Sequence, residues 1–237
     1  MKIKLYRQFE HWYHGGNIWL FSDPHFNDPT SKEIDDNWPN SDDLVEKLNF
    51  KLGRKDTLIC LGDVGDLEYV KKIKNCYKVL VMGNHDKGYS NYEKKYAAAC
   101  RVEGYKGYFF GWQNSEKEVQ DTIDEYNAEH SYVDFTIEDN RLFDEIYEGP
   151  IFISDKILLS HEPIELSFGL NIHGHSHGAK SDWCDGRSGQ CNICSDVVNF
   201  EKIRLDDIVS RYKVESIHRQ TIDRAVRKKK NKYDYFD

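Results

Sequence analysis

The residues able to do chemistry fall into five short polar clusters. They are Asp23-Pro24-His25, Gly62-Asp63, Gly83-Asn84-His85-Asp86, Ser160-His161-Glu162-Pro163 and Gly174-His175-Ser176-His177. Aspartate, asparagine and histidine offer oxygen and imidazole donors, which suit zinc, manganese, iron or nickel better than magnesium alone or a thiolate site. The donors suffice for two ions, and a two-metal site holds its ions roughly 3.5–4 Å apart. Two divalent cations that close repel strongly, so an anionic bridge is needed, which a carboxylate and a hydroxide can supply. Water held by metals loses its proton near neutral pH. Taken singly, each cluster is also ordinary loop polarity, because Asp and Asn are common turn residues.

Something must carry these clusters to one place. Short apolar runs over 18–21, 57–61, 78–82, 151–154, 156–160 and 170–172 have the length and branched content of buried strands. Between the first two, Leu44, Val45, Leu48 and Leu52 recur at helical spacing behind Ser41, the expected N-cap. A second helix is expected over 67–75. Strand alternating with helix predicts a layered α/β fold built on a parallel sheet. Ligands of open α/β sheets bind beyond the carboxyl ends of the strands. Each cluster sits at such an end, so five distant segments are expected to converge. Residues 88–145 break the rhythm. They are rich in Tyr and charge, with helices expected near 91–100 and 115–130, and read as an insertion or cap over one end of the sheet. After residue 200, Leu205, Ile208, Val209, Tyr212, Ile222 and Val226 suggest one or two more helices. The whole chain, 1–237, reads as one domain, with 227–237 a basic, flexible tail.

The ordered set D-x-H, G-D, G-N-H-D, S-H and G-H-S-H resembles the calcineurin-like metallophosphoesterase superfamily over residues 23–177. Asp196-Val197-Val198-Asn199-Phe200 through Leu205-Asp206-Asp207-Ile208 resembles the closing strand and helix of its small prokaryotic members. The resemblance implies two mixed β-sheets packed face to face and flanked by helices, in place of a single parallel sheet, with the insertion as a helical cap. It also implies two divalent transition-metal ions, manganese first, with iron, zinc or nickel as alternatives. Asp23, His25 and His177 would bind the first ion and Asn84, His161 and His175 the second, with Asp63 bridging. His85 would be catalytic rather than a ligand, protonating the leaving oxygen or stabilising phosphoryl charge, a task for which a near-neutral pKa suffices. The implied reaction is hydrolysis of a phosphodiester or phosphomonoester by in-line attack of a hydroxide bridging the metals. Phosphorylated small molecules or nucleotides would be the substrates. Protein Ser/Thr phosphatases fit poorly: that branch carries Arg-Gly after its second motif and G-N-H-E as its third. Here the second motif runs Gly62-Asp63-Val64-Gly65-Asp66-Leu67 and the third ends in Asp86.

Other residues are read more plainly. Asp86 is expected to orient its neighbours and Asp66 to form a turn or cap. His173 reads equally as a support for the ligands or as a plain strand-end histidine, and His11, His14, His130 and His218 as surface residues. Cys191 and Cys194 have the C-x-x-C spacing of a zinc knuckle, but no second pair completes it. Cys184, Cys191 and Cys194 are therefore expected to be free thiols. Tyr105, Tyr108, Phe109, Phe110 and Trp112 either line a substrate pocket or pack the insertion.

Apolar residues are only 39 % of the 237, but aromatic residues reach 14 % and supply buried area. Disorder is therefore not expected over most of the chain. No apolar run approaches the ~20 residues of a membrane span, and the N-terminus lacks an apolar signal core. A cytoplasmic protein without membrane partners is expected. The net charge is −8, yet residues 211–237 hold nine Lys/Arg against four Asp/Glu, so the body before them is more acidic still. That field repels phosphate unless bound metals invert it locally. The basic tail with Tyr233, Tyr235 and Phe236 would suit nucleic acid, although a solvated end is the preferred reading. Two alternatives stand beside the hydrolase: a non-catalytic metal-binding scaffold, and a nucleic-acid-processing phosphodiesterase anchored by the tail.

Overall fold

The computed structural model describes residues 3–102, 105–178, 184–185 and 189–212. Its strands, in chain order, are β1 (Ile18–Phe21), β2 (Thr57–Cys60), β3 (Tyr77–Val81), β4 (Tyr96–Val102), β5 (Tyr105–Gln113), β6 (Thr136–Asp139), β7 (Glu145–Tyr147), β8 (Ile151–Phe152), β9 (Ile157–Leu159), β10 (Leu170–His173), β11 (Cys184–Asp185), β12 (Gln190–Asn192) and β13 (Ile203–Arg204). The helices are α1 (Ser31–Ile34), α2 (Ser41–Asn49), α3 (Leu67–Lys72), α4 (Tyr89–Tyr92), α5 (Glu116–Glu129) and α6 (Leu205–Tyr212).

Side chains of a strand alternate between its two faces, and that period divides the core. Ile18 and Leu20 of β1, Ile59 of β2, and Val79 and Val81 of β3 share one cluster with Ile157, Leu159, Leu170 and Ile172. Phe21, Leu58, Cys60 and Leu80 of the same three strands point the other way, onto Leu44, Val45 and Leu48 of α2 and Val70 of α3. The result is two sheets face to face with helices outside. The first has the order β13-β1-β2-β3-β7 and is parallel except for β13; the second has the order β11-β12-β10-β9-β8 and is parallel at its centre. The single parallel sheet suggested by strand–helix alternation is thereby corrected. Strands buried on both faces need a cover on each side, and the runs near 151, 157 and 170 provide one cover instead of widening the first sheet.

Helix ends follow local chemistry. Asn40, not Ser41, caps α2: its side chain accepts the Asp43 N–H. Ser41 Oγ instead accepts the Asn27 N–H at 2.7 Å, steadying the loop behind His25. Asp66 caps α3, as expected.

The insertion differs from its expected form. Residues 91–100 were to be helical, yet β4 runs through them as the central strand of an antiparallel sheet of order β5-β4-β6. Alanine is the best intrinsic helix former, but tertiary pairing on both sides overrides that preference. Ala98 packs beneath Val119 and Ile123 of α5, the helix expected near 115–130. Residues 96–139 thus form a small sheet carrying one long helix. Phe109 and Phe110 meet Phe135 within it and Tyr108 meets Trp112, yet Tyr105, Tyr108, Phe109, Phe110 and Trp112 all remain exposed.

Glu145 on β7 ties the N-terminal segment to the sheet. It accepts from Tyr77 Oη at 2.6 Å, Tyr147 Oη at 2.6 Å and Trp12 Nε1 at 3.2 Å, and pairs with His11. Burial alone raises its pKa, but the hydrogen bonds from Tyr147, Tyr77 and His11 prevail and hold it below the usual glutamate value. Glu145→Ala is expected to destabilise the fold by about 2–3 kcal/mol in urea titration at neutral pH, since charged hydrogen bonds are lost and donors orphaned. A depressed carboxylate stabilises above its unfolded pKa of about 4.3. The difference from wild type should therefore shrink as pH falls through the lower folded value; a gap unchanged in acid would contradict the assignment.

Candidate metal centre

The expected convergence occurs at the carboxyl ends of both sheets. Ser22, just past β1, bridges to Cys194, and Asp23 N–H donates to the Gly62 carbonyl at 3.1 Å. His25 N–H reaches the Asp63 carbonyl at 3.1 Å, and Gly174 N–H the His161 carbonyl at 2.9 Å. The turns are tight. Asp23, His25, Asp63 and His175 all adopt positive φ, between 41° and 63°. Non-glycine residues there cost on the order of 1–3 kcal/mol each and cluster at functional sites. A Cβ on Gly174 would land on Ser22 Oγ and the Asp23 carboxylate, and one on Gly83 would land on Asp63 Oδ1. Asp86 braces two of the turns by accepting the N–H groups of Asp63 (2.9 Å), Val64 (3.0 Å) and Gly83 (2.9 Å), the orienting role expected for it.

All seven predicted donors meet here. Asp23, His25 and Asp63 offer atoms within 4.8 Å of one another, and so do Asp63, His161 and His175, and again Asp23, His177 and Cys194. Asp63 is thus common to the first two groups, as Asp23 is to the first and third. Asn84 Oδ1 is 2.8 Å from His161 Nε2 and 3.1 Å from His175 Nδ1, and those nitrogens are 3.2 Å apart. Ligands about 2.1 Å from one ion are separated by about 3.0–3.4 Å in tetrahedral or octahedral geometry, so this triangle fits a coordination face. Among the described residues, the buried His25 Nε2 has no hydrogen-bond partner; it lies 3.8 Å from Asp63 Oδ2. An orphaned imidazole nitrogen beside a buried carboxylate has the chemistry of a ligand awaiting a cation.

The chain matches the calcineurin-like phosphoesterase family over residues 16–211. It belongs to that family. The matched span holds every predicted donor and His85. Among solved structures, an Aquifex aeolicus protein of unknown function, AQ665, is similar with 22 % identity and a TM-score of 0.49, covering 82 % of this chain and 98 % of that one. The Pseudomonas putida nuclease MPE is similar with 16 % identity and a TM-score of 0.35, covering 69 % and 63 %. No curated protein matches the chain. Among the described residues, no helix is long and apolar enough to cross a membrane.

In this calcineurin-like phosphoesterase, neighbours set the presentation of each ring. His161 Nδ1 lies 2.8 Å from the Leu61 carbonyl, which can only accept. That nitrogen therefore carries the proton, and Nε2 faces Asn84 and Asp63. His177 Nδ1 pairs with Asp196 at 2.8 Å, turning Nε2 toward Asp23 Oδ1 at 3.7 Å. Carboxylate partners of this kind orient metal-binding imidazoles. Burial lowers the His161 pKa, but the Asp63 hydrogen bond and the charges of Asp23 and Asp63 overcome it and push it up to about 9. Burial likewise opposes ionisation of Asp63, while the His161 and His85 hydrogen bonds keep it below the usual carboxylate range. The centre, without cations, attracts positive charge.

His85 stands at the mouth. Its side chain is exposed, its ring centroid is 5.8 Å from that of His25, and its backbone N–H donates to Asp63 Oδ1 at 2.9 Å. His173 is no part of the cluster; it is buried at the end of β10 with Nδ1 2.8 Å from the Gly174 carbonyl. Cys191 lies in the core between the sheets and, among the described residues, belongs to no metal-capable group. Cys184's side chain and the basic tail lie outside the described residues.

Sequence reasoning missed Trp38, whose ring meets those of His25 and His177 at 5.9 Å each. It also missed Asp28, 3.5 Å from His25 Nδ1, and the pairing of Asp196 with His177. None lies in a ligand motif; Asp196 carried only the signal of the closing segment. A cavity of about 290 Å³ adjoins His25, lined also by Asn27, Lys32, Trp38, Asn40 and Tyr69.

Proposed function

We propose that the chain is a metal-dependent phosphohydrolase. Asp23, His25 and His177 would hold one divalent ion and Asn84, His161 and His175 a second, with Asp63 between them. The observation that carries this is the sharing of Asp63 by two donor groups, beside a buried His25 Nε2 with no hydrogen-bond partner among the described residues. Bound divalent ions supply positions for phosphate oxygens and lower the pKa of water. The chain's own residues do the rest. Asp63 would offset the charge of both ions. Asp196 and the Leu61 carbonyl keep His177 and His161 in the useful tautomers. Asp86 holds the turns that present Asp63 and Asn84. His85, free of the donor cluster and open to solvent, passes a proton to the leaving oxygen.

The substrate is a phosphodiester or phosphomonoester, its organic part a small molecule or nucleotide reaching toward the cavity beside His25. The reaction is an in-line displacement at phosphorus without a covalent phospho-enzyme, and cytoplasmic residence fits the sequence. Manganese is the first expected metal, then iron, zinc or nickel. The complete donor set favours an enzyme over a non-catalytic scaffold.

The test is turnover of bis(p-nitrophenyl) phosphate and p-nitrophenyl phosphate after chelation and reloading. Activity should vanish on chelation and return with Mn²⁺. Failure of every transition metal to support either ester would sink the proposal.

A further inference from the structure

Cys194 is the one donor of the three metal-capable groups that the proposed reaction does not use. Its Sγ lies 3.2 Å from Asp23 Oδ2, and both residues are fully buried. Its position is tightly held. The Cys194 N–H donates to Asn192 Oδ1 at 3.0 Å, and Asn192 Nδ2 donates to the Ser176 carbonyl at 2.6 Å. Next to it, Ser195 Oγ donates to the Ser22 carbonyl at 2.6 Å, and Ser22 pairs with Cys194 across the two sheets. The closing segment of the second sheet thus delivers a thiol to the back of a carboxylate carried by the first. The other side of that carboxylate faces the centre: Oδ1 is 3.7 Å from His177 Nε2.

We propose that Cys194 is a positioning residue: its S–H donates to Asp23 Oδ2 and holds Oδ1 toward the first metal. This rests on the two-metal reading above. Two alternatives differ in what they make measurable. A sulfur that binds the ion directly would make the Asp23 site thiophilic, since Asp23, His177 and Cys194 could surround one cation. A thiol that merely fills space would leave metal affinity untouched.

The experiment compares wild type, Cys194→Ala and Cys194→Ser in two measurements. Calorimetric titration of the metal-stripped protein with Mn²⁺ reads the two binding steps, and absorption spectra after Co²⁺ loading read sulfur ligation. Cys194→Ala should weaken one step by 10–100-fold, the usual effect of losing a partner that orients a ligand, and leave the other step unchanged. Cys194→Ser, which restores a donor, should recover part of the loss. No wild-type or variant spectrum should contain a sulfur-to-cobalt charge-transfer band. Unchanged steps in Cys194→Ala would refute positioning, and so would a charge-transfer band lost in Cys194→Ser. Equal weakening of both steps in both variants would assign the effect to packing. Wild type that binds no metal would instead overturn the two-metal reading itself, and this inference with it.

Discussion

Asp63→Asn is expected to cut turnover by roughly 10³-fold and to abolish tight binding of the second ion. The substitution keeps the shape of the side chain and an oxygen able to accept the His85 N–H, so the turn should persist. What it removes is a unit of negative charge at a buried point, 3.8 Å from His25 Nε2 and 3.3 Å from His161 Nε2. Two cations sharing that point repel each other, and a unit charge at ~4 Å is worth about 4 kcal/mol at an effective dielectric constant of 20. That energy corresponds to about 10³-fold in a rate or an equilibrium constant. Metal content by mass spectrometry and turnover of an aryl diester with added Mn²⁺ check it together. A variant with two tightly held ions and normal turnover would remove Asp63 from the bridging position.

His85→Ala should behave in the opposite way, keeping both ions while losing activity. The His85 side chain lies outside the donor groups, and its contact with Asp63 runs through the backbone N–H, which alanine retains. A positioned proton donor contributes typically 10²–10⁴-fold, or about 3–5 kcal/mol of barrier. The loss should depend on the leaving group. It should be largest for an alkyl phosphate, whose alkoxide needs the proton, and small for p-nitrophenyl esters, whose phenolate leaves unaided. Equal losses on both would assign His85 to phosphoryl charge instead, and lost metal would make it structural.

Much of this was legible from residue type and order. The strand near 18–21 was read within its observed bounds, because a short apolar run closed by Ser-Asp-Pro has few other structures open to it. The helix expected near 115–130 is observed over Glu116–Glu129. The strand at 96–102 was not legible. Three consecutive alanines favour helix locally, and pairing with residues 105–113 and 136–139 overrides that preference. The second sheet was hidden for a related reason: a buried parallel strand reads the same whichever sheet it joins.

By itself, the sequence determined the donor inventory and its order along the chain, because ligand chemistry belongs to the side-chain type and the donors follow strands visible as apolar runs. Only the tertiary structure decided which atoms face one another. Positive φ at Asp23, His25, Asp63 and His175 is imposed by the packing of neighbouring turns. The meeting of Asp23 with His175 and Cys194 joins residues from two different sheets. The packing of those sheets sets that meeting, and no local pattern encodes it.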